Sequence, residues 1–274
     1  MELNAMGIER EALIYLYGIV PADSQEPPSA LLGVENAPPR LVRLARIAAV
    51  VSEVPAEIYA DEALDPHLDD LTWVGERGLA HERVLDWFAE RGAIIPSSLF
   101  SLHLDVARLR SRLEEDEARL AEQLEGLRGK REWGVKLWRR DTVLAENIVQ
   151  LSPALQALVT EVEEAAPGRK FLLGKKLDAL RSDELKRLSA RVVHTVFNSL
   201  TEQADRASHM PVPPAPARVE RALALDAAFL VASDGFKDFQ RRLGEMAGEF
   251  QPYGFEFEFT GPWPPYHFAQ PDAC

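Results

Sequence analysis

The sequence predicts an α+β protein of two domains, each a small sheet packed by helices, with a long helical insertion in the second. Three observations lead there. Phe255-Glu256-Phe257-Glu258-Phe259 alternates aromatic and acidic residues, the period-2 pattern of a strand with one buried face. Val106, Leu113, Leu120 and Leu127 fall at i+7 steps with Leu109 and Leu124 beside them, the stripe of an amphipathic helix. Strands and helices interleave, yet several connections are short enough for hairpins, which points to sheets packed by helices.

Taken in order, Ala12 to Val20 is rich in Ile, Leu, Tyr and Val and reads as a buried strand stopped by Pro21. Ala22 to Pro39 is a polar, proline-bearing loop. Leu41 to Val54 suits one or two strands, with Pro55 as terminator. Asp70 to Glu90 sets Leu71, Val74, Leu85 and Phe88 on roughly one stripe and ends at Gly92, a helix. Ala93 to Leu102 is a strand. Asp105 to Leu127 is a helix on the order of 35 Å long, closed by Gly126 and Gly129.

Gly129 opens the second domain, giving expected boundaries of 1–128 and 129–274. Arg131 to Arg139 is a strand with Trp133, Val135 and Leu137 on one face. The helical segment spans 141–208. It is interrupted at Ser152-Pro153, where Ser caps and Pro takes the first helical position, and Pro167-Gly168 is read as a stop. Leu173, Leu177, Leu180, Leu188, Val192, Val196 and Leu200 carry the later stripe. Pro211 to Pro216 is a linker. Leu223 to Ala232, Gly235 to Phe250 and Tyr253 to Phe259 read as strand, helix and strand, with the strands at Arg131, Leu223 and Tyr253 in one sheet. After Thr260-Gly261, residues Pro262, Pro264 and Pro265 lack an N–H donor, so 260–268 is expected to leave the ladder as an extended strap. Trp263, Tyr266 and Phe268 are costly to leave in water, which suggests that the strap docks.

The chain has 274 residues, enough to bury roughly three quarters of its unfolded surface without disulfide or metal. Its one cysteine is Cys274, which excludes an internal disulfide and a thiolate zinc cluster and fits a reducing cytoplasm. Met1 to Arg10 lacks the apolar region of a signal peptide, and no apolar run approaches the ~20 residues that span a bilayer. Forty-four acidic against 31 basic side chains give a net charge of −13, which repels phosphate backbones and anionic lipids. No nucleic-acid or membrane partner is expected.

The sequence offers little that reads as a catalytic or cofactor motif. Gly168 to Lys176 fails as a phosphate loop, because five residues separate its glycines where four are required and Lys176 stands where Ser or Thr would hold Mg²⁺. His81-Glu82 is half of a zinc helix motif, but position 85 is Leu. No metal or cofactor is expected, and His81 is read as a hydrogen-bonded residue near Trp73 or Trp87. The stripe through Leu109, Leu113 and Leu120 is either a core face or a groove for a partner helix. With Trp263 and Tyr266 of the strap, these are the candidate partner-binding residues. Trp133, Trp138, Lys136, Arg139 and Arg140 form a local basic-aromatic cluster that would suit single-stranded nucleic acid, against the overall charge.

Thr260-Gly261-Pro262-Trp263-Pro264-Pro265-Tyr266-His267-Phe268 resembles the terminal signature of the gas vesicle protein L/F family (GvpL/GvpF), accessory proteins of gas vesicle assembly. Ile14 to Val20 and Ala48 to Pro55 are similar to the family's first strand and second hairpin arm. His81, eight residues after Trp73, Ile95-Pro96, Gly129 to Lys136 and Pro167 to Leu172 follow in the family's order. One departure stands out: the family's usual Arg-Phe-Gly turn after Ile95-Pro96 is replaced by Ser97-Ser98-Leu99-Phe100-Ser101. The resemblance implies ferredoxin-like elements in the sheets. It also implies a cytoplasmic, gas-vesicle-associated assembly factor that is not an enzyme. Its implied role is to bind and shield the small hydrophobic shell protein, or other accessory proteins, during vesicle formation. The alternative reading is an enzyme built on a buried His81–carboxylate site, which would need a polar pocket with shifted pKa values.

Overall fold

The computed structural model describes residues 11–213 and 220–269. The Met1–Arg10 segment, Pro214 to Pro216 of the expected linker, and Cys274 lie outside the described residues. The chain divides into two compact units, one taking the chain up to Arg131 and from Trp263 onward, the other Glu132–Pro262.

The first unit is a sheet between two helices. Strand β1, Ala12–Pro21, pairs antiparallel with β3, Ile47–Pro55, which also pairs with β2, Arg40–Arg43. On the other side β1 takes two short strands, β4, Ile95–Pro96, and β5, Leu102–His103. The sheet order is β2-β3-β1-β4, with β5 also on β1. The connection from β1 to β2 carries only a 3-10 turn, Val34–Asn36. Helices α1, Ala56–Tyr59, and α2, Asp61–Leu68, then lead to α3, Leu71–Ala89. Helix α4 is Val106–Leu127. Side chains alternate across a strand, so Leu13, Tyr15 and Tyr17 meet Val84, Leu85 and Phe88 of α3 in one buried cluster. Leu109, Leu113, Leu120, Leu124 and Leu127 of α4, which packs on β1 and β3, are buried outside that cluster.

The second unit runs β6, Lys130–Arg139; α5, Asp141–Leu151; α6, Pro153–Glu164; α7, Pro167–Thr201; β7, Arg206–His209; β8, Ala222–Ala232; α8, Phe236–Phe250; and β9, Phe255–Trp263. Its sheet order is β7-β8-β6-β9. Val135, Leu137, Leu225, Phe229 and Phe255 of the sheet close over Val192, Val196 and Leu200 of α7 and Phe239, Leu243 and Met246 of α8. The last three fall at i, i+4 and i+7, one apolar stripe. α7 also packs on α6 and α5, the helical insertion.

The structure corrects several expectations. The strand expected over 93–102 is two dipeptide strands, parted by a turn in which Phe100 has φ 61°. Pro167-Gly168 opens a helix, since proline's missing N–H costs nothing in a first turn. The long helix stops at Thr201, and Arg206–His209, read as helical, is an edge strand on β8. Leu71, placed on the inner stripe, is exposed. The strap is shorter than expected, because β9 continues through Gly261 and Pro262 to Trp263. β9 is an edge strand, where a proline can turn its missing donor to solvent. Beyond it the chain folds into a tight turn, with Ala269 N–H donating to the Pro265 carbonyl at 2.8 Å, rather than an extended strap.

Candidate functional site

Helix α3 is where chemistry-bearing side chains converge. Asp70 caps it, accepting from Thr72 and Trp73 N–H at 2.9 and 3.2 Å. From that fixed start, His81 turns into the core against β1. Its Nδ1 lies 2.9 Å from the Tyr15 hydroxyl, which accepts from the Phe100 N–H at 3.2 Å and is thereby free to donate to His81. The histidine proton then sits on Nε2, which is buried without a well-formed hydrogen bond. The ring packs against Tyr15 and Tyr17, at centroid distances of 5.7 and 5.5 Å, rather than against Trp73 or Trp87. Burial pushes its pKa down to about 4 and raises those of Tyr15 and Tyr17. His81 is therefore neutral and enclosed, and the Tyr17 hydroxyl is taken by Ser52 and Val34.

One turn earlier, Arg77 gives Nε and Nη2 to Glu35 at 3.1 and 2.8 Å, and Tyr59 donates to the same carboxylate at 2.7 Å. Glu35 and Asn36 have φ of 54° and 55°, a left-handed conformation that these bonds hold in place. The Arg77 guanidinium lies 4.2 Å from the Trp73 ring, which stacks on His67 and Phe100. One residue after His81, Glu82 accepts from the Tyr266 hydroxyl. Gln123 of α4 donates to the Ala269 carbonyl, and Phe268 is buried.

Of the candidate contact residues, Leu109, Leu113 and Leu120 are buried within their own unit and Tyr266 is half-buried, whereas Trp263 is 45% exposed. Tyr266 and Phe268 are thus the more covered residues of the strap, and Trp263 is the more exposed. The basic-aromatic cluster is occupied internally. Trp133 stacks on Phe236 and Phe259, Lys136 and Arg140 pair with Asp226 and Glu256, and Trp138 donates to Glu258. Among the described residues no three His, Cys, Asp or Glu side chains converge as metal ligands would. Glu35, Tyr59 and Arg77 had no signal in sequence.

The pattern of the gas vesicle synthesis protein GvpL/GvpF family matches residues 13–270. The chain belongs to this family. Family membership gives it a role in gas vesicle formation. Gas vesicle protein L of Streptomyces sp. (strain CB03234) is 29% identical, over 94% of this chain and 93% of the relative. Gas vesicle protein F of the same strain is 26% identical, over 93% and 99%. The crystal structure of gas vesicle protein GvpF from Anabaena sp. PCC7120 shares the fold, with a TM-score of 0.70 at 19% identity over 95% of this chain and 99% of that one. In the Ser97 to Ser101 segment, Phe100 is left-handed and its N–H is tied to Tyr15. Among the described residues no helix is long and apolar enough to cross a membrane.

Proposed function

We propose that this chain is an assembly factor that binds and shields the small hydrophobic shell protein, or other gas vesicle accessory proteins, while the vesicle forms. The observation that carries the reading is the family match over residues 13–270. A physical need agrees with it. A subunit bound for a wall that excludes water exposes apolar surface, and such surface aggregates when unshielded. A carrier with a net charge of −13 keeps the pair dispersed. Trp263, half-exposed at the end of an edge strand, is the contact we favour. Leu109, Leu113, Leu120 and Tyr266 contribute by holding the surface around α3 and α4 in shape.

The action is binding, without covalent chemistry, in the cytoplasm and at the growing vesicle. In support, His81 meets tyrosines and not a carboxylate, and Glu82 is engaged by Tyr266. Co-purification of the full chain with the small shell protein tests the reading, with deletion from a gas vesicle cluster beside it. Retention of the shell protein and loss or distortion of vesicles are expected. Normal vesicles after deletion, with no retention, would overturn it.

A further inference from the structure

Two exposed apolar sites on this chain complement each other in charge. The first lies at the start of α7. Phe171 and Leu172 are 66% and 67% exposed, while Leu173 is buried. A helix turns one face inward, so only one of three consecutive apolar residues is covered. Around the pair stand Arg169, Lys170, Lys175 and Lys176, with no acidic residue between Pro167 and Lys176. Lys175 Nζ lies 4.9 Å from the Phe171 ring centre, and Arg169 pairs with Glu161 at 2.7 Å. Arg169 and Lys170 lie in the first turn, where cations oppose the helix dipole, so the stability of α7 does not account for those two.

The second site is the corner between α2 and α3. Leu68 and Leu71 are 43% and 84% exposed there. From Glu57 to Leu71 the chain carries six acidic residues and no lysine or arginine. Asp65 and Asp69 face solvent, while Asp70 caps α3.

We propose that these are the two halves of one contact between copies of this chain: the start of α7 in one copy docks on the α2–α3 corner of the next. Phe171 and Leu172 meet Leu68 and Leu71, and the cations face the acidic corner. Charge complementarity selects this occupant. A chain at −13 repels nucleic acid and anionic lipid, whereas an acidic surface with exposed leucines is what the chain itself presents. Because the two patches differ, the contact is heterologous and copies add head to tail. Salt weakens it by screening.

Sedimentation velocity across a concentration series, at low and high salt, tests this with three proteins. One is the wild type, one carries Phe171→Ser, Leu172→Ser and Lys175→Gln, and one carries Leu71→Ser, Asp65→Asn and Asp69→Asn. The wild type is expected to form species larger than a monomer that dissociate as salt rises. Each variant alone weakens association about tenfold or more. Mixed, the two variants keep one good half each and form a 1:1 complex that does not grow. A wild type that stays monomeric, association unchanged by both variants, or a mixture without the 1:1 complex would overturn the proposal. So would a monomer that binds anionic vesicles through Phe171 and Leu172. Should one variant lose its circular dichroism spectrum, the other, read against wild type in mixture, still decides.

Discussion

Tyr266 gives its phenolic hydrogen to the carboxylate of Glu82, 184 residues earlier in the chain. Burial raises the pKa of both groups, and in Glu82 the bond from Tyr266 offsets part of that rise. Tyr266→Phe keeps the ring and removes the bond, leaving a half-buried carboxylate without this donor, at a cost of roughly 1–3 kcal/mol. The sign with pH follows. Without the bond the Glu82 pKa climbs further, so the loss is largest at neutral pH, where the carboxyl is charged. It shrinks as the pH falls through that raised pKa. Urea unfolding of both proteins at pH 7 and pH 4 reads this. Equal differences at the two values would show that the carboxylate is not what Tyr266 stabilises.

His81 sets a second pH dependence. Its folded pKa is pushed down to about 4 from an ordinary 6.5. The unfolded chain therefore binds the proton more readily, and the contribution is complete above pH 6.5. It is lost progressively as the pH falls from there to about 4, by roughly 3 kcal/mol in all. His81→Asn keeps an acceptor for the Tyr15 hydroxyl and removes the titration. Its stability should change less between pH 6.5 and 4 than the wild type's, measured by denaturant midpoints. Parallel curves would refute the assignment.

The regular elements were legible because their period is written in apolar residues. α4 and β9 follow from the leucine stripe and the Phe–Glu alternation. β7 was hidden because Arg-Ala-Ser-His carries no alternation, and only its pairing with β8 makes it a strand. The passage of β9 through Pro262 depends on its edge position, which is a property of strand order. The family was readable from spaced motifs. The Glu35–Tyr59–Arg77 cluster was not, because its members lie 24 and 42 residues apart and meet only when α3 settles beside the 3-10 turn. The exposed Phe171-Leu172 pair did leave a trace: three consecutive apolar residues on a helix exceed what one face can bury.

Two glycines of the first unit should respond with opposite sign. A Cβ on Gly18 would stand 2.6 Å from the Ile95 carbonyl oxygen, across the β1–β4 pairing where backbone must yield. Gly18→Ala should cost about 1–3 kcal/mol, the range for overpacking. A Cβ on Gly75 of α3 meets nothing within 4 Å. Gly75→Ala should stabilise by about 0.5–1 kcal/mol, because alanine suits a helix interior better than glycine. Thermal melts of the two variants check both signs.

Trp263 and Phe268 together allow a test that separates partner contact from folding. It is 45% exposed, whereas Phe268 of the same terminal segment is buried. Truncating a large buried aromatic costs about 3–5 kcal/mol, while a surface substitution usually stays within about 0.5 kcal/mol. Trp263→Ala should therefore cost well under half of what Phe268→Ala does in urea unfolding. If Trp263 meets the shell protein, the same substitution should lower the amount retained in co-purification several-fold, since aromatic anchors dominate such contacts. Phe268→Ala serves as the comparison, because it loosens the segment without removing the exposed ring. Retention that tracks stability across the two variants, rather than the presence of Trp263, would assign the segment to folding alone.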